Sequence, residues 1–140
     1  MDGVQLTDTM SHKWFGVEPS DSTLLANLIH IKTAWYSHNF IFSCGGDECH
    51  SSTYSYNSPI DVDHNVYLCD LALTRSLSRS IDSLPGIMIH EITHFDDILM
   101  AGDYAYGVDG AENLAYNAPT YAMINSDNYE YYEEDPDYWG

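Results

Sequence analysis

The segment that most constrains this chain is His90-Glu91-Ile92-Thr93-His94. Two histidines four apart lie on one face of a helix, so both imidazoles can reach a single ion. Zinc accepts two neutral imidazoles and leaves positions for a carboxylate and a water. Glu91 sits too close to the backbone of its own turn to be a good third ligand, but it can reach the water. There it can act as general base and later carry the proton to a leaving amine. Apolar neighbours would dry the wall of such a site and strengthen the field at the metal. The competing reading is a chance five-residue match on a buried helix.

Ser83-Leu84-Pro85-Gly86 predicts the start of that helix, and apolar spacing carries it from Ile87 to about Ile98. Upstream, Leu24, Leu25, Leu28, Ile31 and Trp35 give residues 21–38 a helical period, with Asp21 or Ser22 as cap. Short aromatic and β-branched runs follow at Phe40–Phe42, Thr53–Tyr56 and Val66–Leu68, and they predict a small, mostly antiparallel sheet. Residues 1–20 read as polar and irregular, and 70–82 as a short helix or turn. Gly102, Gly107 and Gly110 mark a loop. Ala111–Asn117 reads as a helix, with a second from Thr120 toward Tyr132 and an acidic tail over 133–140. The fold class is α+β: the sheet, then the metal helix packed with it, then a C-terminal helical lobe. An edge strand near the cleft could hold an extended peptide.

The 140 residues suit one domain spanning 1–140, and 44% hydrophobic content excludes global disorder. No apolar run is long enough to predict a membrane span. Met1-Asp-Gly-Val-Gln-Leu has neither a basic nor an apolar leader region, so a signal peptide is expected to be absent or already removed. Acidic residues number 22 against four cations, Lys13, Lys32, Arg75 and Arg79, for a net charge of −18. That balance argues against nucleic acid and anionic membranes and favours a cationic substrate. Solubility alone would also explain it.

Of three cysteines, Cys49 and Cys69 close a hairpin-like loop and are the expected pair, which leaves Cys44 over. A disulfide points to an oxidising compartment. Cys44-Gly-Gly-Asp-Glu-Cys49-His50 lacks the second half that a further metal site would need.

A third ligand must come from outside the motif. Asp97 shares the histidine face, but seven helical residues rise roughly 10 Å, too far for bonds of about 2 Å. A loop residue that folds back is the better candidate, and Asp103 follows His94 by nine residues. Asp127 and Glu130, three apart on a helix, could converge on one ammonium group. On spacing alone they equally describe a solvated acidic face.

His90-Glu-x-x-His94, Asp103-Tyr-Ala-Tyr106-Gly107 and Asn125-Ser-Asp127-Asn-Tyr-Glu130 together resemble the aspzincin family, which includes deuterolysin and the peptidyl-Lys metalloendopeptidases. The resemblance runs from about Trp14 to the end and is densest over Ile87–Tyr132. It implies a zincin-like fold, one zinc ion held by His90, His94 and Asp103, and Glu91 as the base that activates the water. It implies Tyr106 as donor to the oxyanion, and Asp127 with Glu130 as a pocket for lysine. Cleavage would then fall on the amino side of lysine in protein or peptide substrates, by a secreted monomer. The low lysine count (Lys13 and Lys32) fits a lysine-directed protease that avoids digesting itself.

Cys49 and Cys69 match the family's disulfide, and Cys44 matches a cysteine whose partner lies in an N-terminal helical segment not seen in this chain. Where the family carries Gly-Thr ahead of the ligand loop, this chain has Met100-Ala101. Two rival readings stand beside this one: a deuterolysin-like protease of broader specificity, and a non-catalytic acidic module that binds lysine-rich peptides.

Overall fold

The computed structural model describes residues 3–78 and 80–136, with side chains from residue 9 onward. Arg79 and residues 137–140 of the expected acidic tail lie outside the described residues.

The first twenty residues are not irregular. Helix α1 runs Gly3–Phe15. Its Met10, Trp14 and Phe15 are all within 1% of full burial. Three buried apolar side chains within six residues stabilise it through packing, at roughly 1.5–3 kcal/mol each; its polar composition hid that stripe. Helix α2, Ser22–Ser37, starts where expected, with the Asp21 carboxylate accepting from Leu24 N.

Three strands follow, β1 Ile41–Cys44, β2 Ser55–Asn57 and β3 Asn65–Leu68, in the order β1-β3-β2. The sheet is mixed rather than mostly antiparallel: β3 is central, parallel to β1 and antiparallel to β2. Cys49 and Cys69 are joined by a disulfide across 20 residues of sequence, which ties the approach to β2 to the end of β3. A closed loop of that size contributes about 3 kcal/mol. Cys44 is free and exposed.

After the short helix α3, Asp70–Leu73, comes α4, Leu84–Thr93. Its Ser83 cap accepts from Gly86 N, as the punctuation predicted. It ends four to five residues earlier than the apolar spacing suggested, with His94 as C-cap. Ala101 N reaches back to the Thr93 carbonyl at 2.9 Å, so the chain folds over the helix end instead of extending it. Helix α5, Gly107–Asn117, takes in two of the glycines read as loop. Helices α6, Pro119–Ala122, and α7, Ser126–Glu134, complete the C-terminal lobe.

Helix α4 packs on α7, and α1 packs on α5 and α7. Phe15 meets Tyr129 and Tyr132 with ring centroids 4.8 and 5.6 Å away. The start of the expected acidic tail is in fact core: Glu134 is 2% and Asp135 3% exposed. The Asp135 carboxylate accepts from Trp14 Nε1 and Lys13 Nζ, both at 2.9 Å. No helix among the described residues is long and apolar enough to cross a membrane.

Candidate active site

The structure brings His90, His94 and Asp103 together. His90 Nε2 lies 3.2 Å from His94 Nε2 and 3.2 Å from Asp103 Oδ1, and the third side of the triangle is 3.3 Å. Four ligands at tetrahedral angles, each about 2.0–2.1 Å from zinc, are separated by about 3.3 Å. The three atoms therefore already form one face of a zinc tetrahedron, and their donor set of two imidazoles and a carboxylate suits that ion.

Each imidazole is turned by what its other nitrogen meets. His90 Nδ1 lies 2.7 Å from Asp127 Oδ1, and His94 Nδ1 lies 2.8 Å from the Ala101 carbonyl and 3.2 Å from Ser126 Oγ. A hydrogen on each Nδ1 leaves both Nε2 lone pairs free for the metal. Burial opposes protonation of His90, but Asp103, Asp127 and Glu130 outweigh it and hold its pKa well above the ordinary value. His94 is raised in the same way, burial opposing and Asp103 and Glu91 prevailing. Burial pushes the Asp103 carboxyl up, yet the two imidazoles hold it well below the usual carboxylate range.

The Asp103 loop is stapled from the other side. Gly102 and Asn125 form an isolated bridge, with Gly102 N on the Ile124 carbonyl and Ser126 N on the Gly102 carbonyl. Asn125, fully buried, accepts from Tyr104 N at 2.7 Å and Ala105 N at 3.2 Å and donates to the Ala105 carbonyl at 3.1 Å. The sequence placed Asn125 in the segment that carries the resemblance but gave it no role of its own. Met100 adopts φ 53°, the left-handed conformation that glycine takes more easily, at the place where glycine is expected.

Glu91 is 4% exposed and fully held. Ser55 Oγ donates to Oε1 at 2.7 Å, and Asn57 Nδ2 donates to Oε2 and to the Glu91 carbonyl, both at 2.8 Å. Both donors come from β2, which is an edge strand. Tyr106 is 69% exposed and lines the cleft as N-cap of α5. Its phenol is raised, first by partial burial and then by the Asp103 carboxylate, so it keeps its hydrogen.

The cleft encloses about 510 Å³ and is lined by Ser52–Ser55, Asp82, Ile87, His90, Glu91, Asp103, Tyr106, Gly107, Asp127, Glu130 and Tyr131. Asp127 and Glu130 are both in it but are not equivalent. Asp127 spends one oxygen on His90 and the other on Gly107 N at 2.8 Å. Glu130 is 2% exposed, and its Oε2 is buried without a hydrogen-bond partner. Burial pushes its pKa up to about 9.

Asp82, which the sequence did not single out, adds a third carboxylate. Acceptor atoms of Asp82, Glu130 and Glu134 lie within 4.8 Å of one another. Glu134 is engaged elsewhere: it accepts from Asp82 N, Ser83 N and Ser83 Oγ at 2.9–3.0 Å, which fixes the start of α4. A Cβ at Gly86 would collide with that carboxylate, so the helix start needs glycine there.

Comparison with known proteins supplies a family and a fold. The aspzincin family model, described as lysine-specific metallo-endopeptidase, matches residues 4–134. A peptidyl-Lys metalloendopeptidase of Armillaria mellea is 36% identical over 123 residues, which are 86% of this chain and 34% of the relative. An extracellular protease of Aeromonas hydrophila is 35% identical over the same shares. The chain thus spans about a third of the length of these relatives. A peptidyl-Lys metalloendopeptidase of Pleurotus ostreatus, 32% identical, is covered over 70% of its length. The solved structure of a zinc peptidase from Grifola frondosa superposes with a TM-score of 0.77 at 28% identity, covering 95% of this chain and 83% of that one.

Proposed function

The chain belongs to the aspzincin family of metallo-endopeptidases, and from that membership we propose that it is a zinc endopeptidase cutting on the amino side of lysine. The observation that carries the reading is the triangle of His90 Nε2, His94 Nε2 and Asp103 Oδ1 with sides of 3.2–3.3 Å. Those three residues would hold one zinc ion, which supplies a Lewis acid able to polarise a peptide carbonyl and acidify water.

Around it the chain's own groups divide the work. Glu91, held from one side by Ser55 and Asn57, takes the proton of the attacking water and hands it to the leaving amine. Tyr106, with its phenol kept protonated, donates to the oxygen of the tetrahedral intermediate. Asp127 keeps His90 oriented through Nδ1. The free edge of β2, beside the cleft, supports an extended peptide bound as an added strand.

For lysine, Glu130 is the principal acceptor: its unpartnered Oε2 gains a hydrogen bond when an ammonium enters. Asp127, with both oxygens engaged, contributes charge. The disulfide and the extracellular protease of Aeromonas support secretion. One chain carries every group named in the cleft, so the reading needs no second subunit.

The test is digestion of an unstructured protein with fragment ends read by mass spectrometry, using wild type, Glu91→Ala and Glu130→Gln. New N-termini starting with lysine, lost in Glu91→Ala, are expected. The engagement of Asp127 with His90 favours one second reading, a protease of broader specificity; mixed cut sites, unchanged in Glu130→Gln, would establish it. No cleavage by wild type with zinc bound would leave the binding module.

A further inference from the structure

We propose that His38, His64 and Asp97 form a second divalent-metal site, of the zinc class, at the end of the sheet where β1 and β3 begin. The three residues come from three separate elements. His38 is the C-cap of α2, His64 directly precedes β3, and Asp97 lies in the turn after α4. The fold brings one ligand atom of each within 4.8 Å of the other two. The donor set, two imidazoles and a carboxylate, repeats that of the cleft and suits zinc, nickel or cobalt over calcium or magnesium.

Two of the three donors are already set. His64 Nε2 lies 3.0 Å from Asp97 Oδ1 and 2.9 Å from Oδ2. That is slightly inside the roughly 3.3 Å edge of a zinc tetrahedron, so a small opening admits an ion. Phe40 and Phe95, in T-shaped contact with centroids 5.4 and 4.8 Å away, fix the plane of the His64 ring. The backbone holds the ring there at a cost: His64 has φ 56°, a conformation that disfavours a histidine by about 1–2 kcal/mol. Ile41 N on the His64 carbonyl and His64 N on the Asp61 carbonyl maintain it. Asp82 and Met100 share this left-handed backbone, and strained residues of this kind cluster at functional sites.

The third donor closes the set. The His38 ring stands 4.9 Å from the His64 ring, edge-on at 81°, and is only half-buried. It can swing about its χ angles onto an ion held by the other two, and water completes the shell. The Asp97 side chain is 46% exposed and His64's 11%, so the site opens outward while its anchor stays in the core. A chain of net charge −18 attracts divalent cations to such a rim. An ion here would clamp the end of α2, the start of β3 and the turn three residues beyond His94. The plain alternative is a His64–Asp97 ion pair with His38 packed against it.

Zinc bound per chain distinguishes the two. The protein is dialysed to equilibrium against zinc at neutral pH, with millimolar calcium to occupy non-specific carboxylates, and the metal is counted by atomic absorption. Two ions are expected for wild type, and one for each of His38→Ala, His64→Asn and Asp97→Asn. Asparagine is chosen at 64 because it tolerates φ > 0. If that variant still fails to fold, the other two decide, since both replace side chains at the open rim. One ion in wild type, or two retained in His38→Ala and Asp97→Asn, overturns the proposal. A rise in Tm with the second equivalent, absent from the variants, is the accompanying readout.

Discussion

The cleft and the outer cluster hold the same donors, two histidines and an aspartate, and differ in everything around them. In the cleft the ligand atoms are already spaced 3.2–3.3 Å apart on all three sides. At His38, His64 and Asp97 only one pair is that close and the third donor stands off. In the cleft Asp127 and the Ala101 carbonyl fix each imidazole from behind, and Asn125 fixes the loop that brings the carboxylate. At the outer cluster the walls are aromatic rings and the carboxylate is half in solvent. Ligand identity therefore does not distinguish a reaction centre from a clamp. Orientation of each ligand by a second partner does, and it is what raises affinity and sets the tautomer. The cleft also has what the outer cluster lacks among the described residues: a carboxylate like Glu91, buried and held by two donors, facing the ligands.

That last difference predicts the largest effect. Glu91→Ala should lower kcat on a lysine-containing peptide by about 10²–10⁴-fold, with zinc content unchanged by metal analysis. The contrast breaks if Asp97→Asn lowers kcat as far. Next comes the orienting shell. Asp127→Ala should weaken zinc by about 10–100-fold in competition with a chelating dye, whereas Glu130→Gln, which replaces a carboxylate standing farther from His90 at 3.5 Å, should change zinc affinity less and raise KM for lysine substrates. If Asp127→Ala moves only KM, its bond to His90 is incidental and the acidic residues act as one pocket.

Acidity gives a smaller, graded effect. In the metal-free protein His90 and His94 hold protons to higher pH than ordinary histidines, because Asp103 and its neighbours outweigh burial. Zinc needs both neutral, so each proton must leave as it binds. Apparent affinity should rise by about tenfold per pH unit for each proton released, from pH 6 upward, and level off only above the raised pKa values. Calorimetry in buffers of different ionisation enthalpy counts those protons. No release at pH 7 would mean that the acidic neighbours do not hold the imidazoles charged.

Local signals in the sequence carried far in this molecule and non-local ones did not. Asp21, one of two candidate caps, and Ser83, in the segment read as a helix start, do cap their helices, because a cap depends on three or four consecutive residues. The disulfide pairing followed from a hairpin. Helix α1 was missed because its stability lies in contacts with α5 and α7, more than ninety residues away in sequence. The end of α4 was placed too late because Phe95 and Ile98 continue the apolar period while burying themselves in a turn. Glu134 and Asp135 looked like tail because charge usually means solvent, yet one secures the start of α4 and the other the end of α1. The α+β class was readable from the alternation of periods; the parallel pairing of β1 with β3 was not, since it depends on a crossover. At the site, the motif residues could be named from the sequence, while the role of Asn125, the presence of Asp82 and the bond from Asp127 to His90 appear only when the C-terminal lobe is folded onto α4.

The smallest effect tests strain on the two sides of the comparison. Met100, beside the cleft's ligand loop, and His64, in the outer cluster, have nearly the same left-handed backbone, φ 53° and 56°. A non-glycine residue there costs about 1–2 kcal/mol. Glycine relieves that but adds roughly 0.5–1 kcal/mol of unfolded-chain entropy. Met100 is 70% exposed, so replacing it forfeits little packing, and Met100→Gly should stabilise by up to about 1 kcal/mol, a few degrees of Tm. His64→Gly makes the same backbone exchange but gives up the ring between Phe40 and Phe95 and the bond to Asp97, so it should destabilise. Thermal unfolding of the pair separates the cases. Opposite signs mean that strain at 100 is a residue of sequence drift in a loop held from elsewhere, while strain at 64 is maintained by what the side chain does. Equal losses would mean that the Met100 side chain supports the ligand loop in a way its exposure conceals.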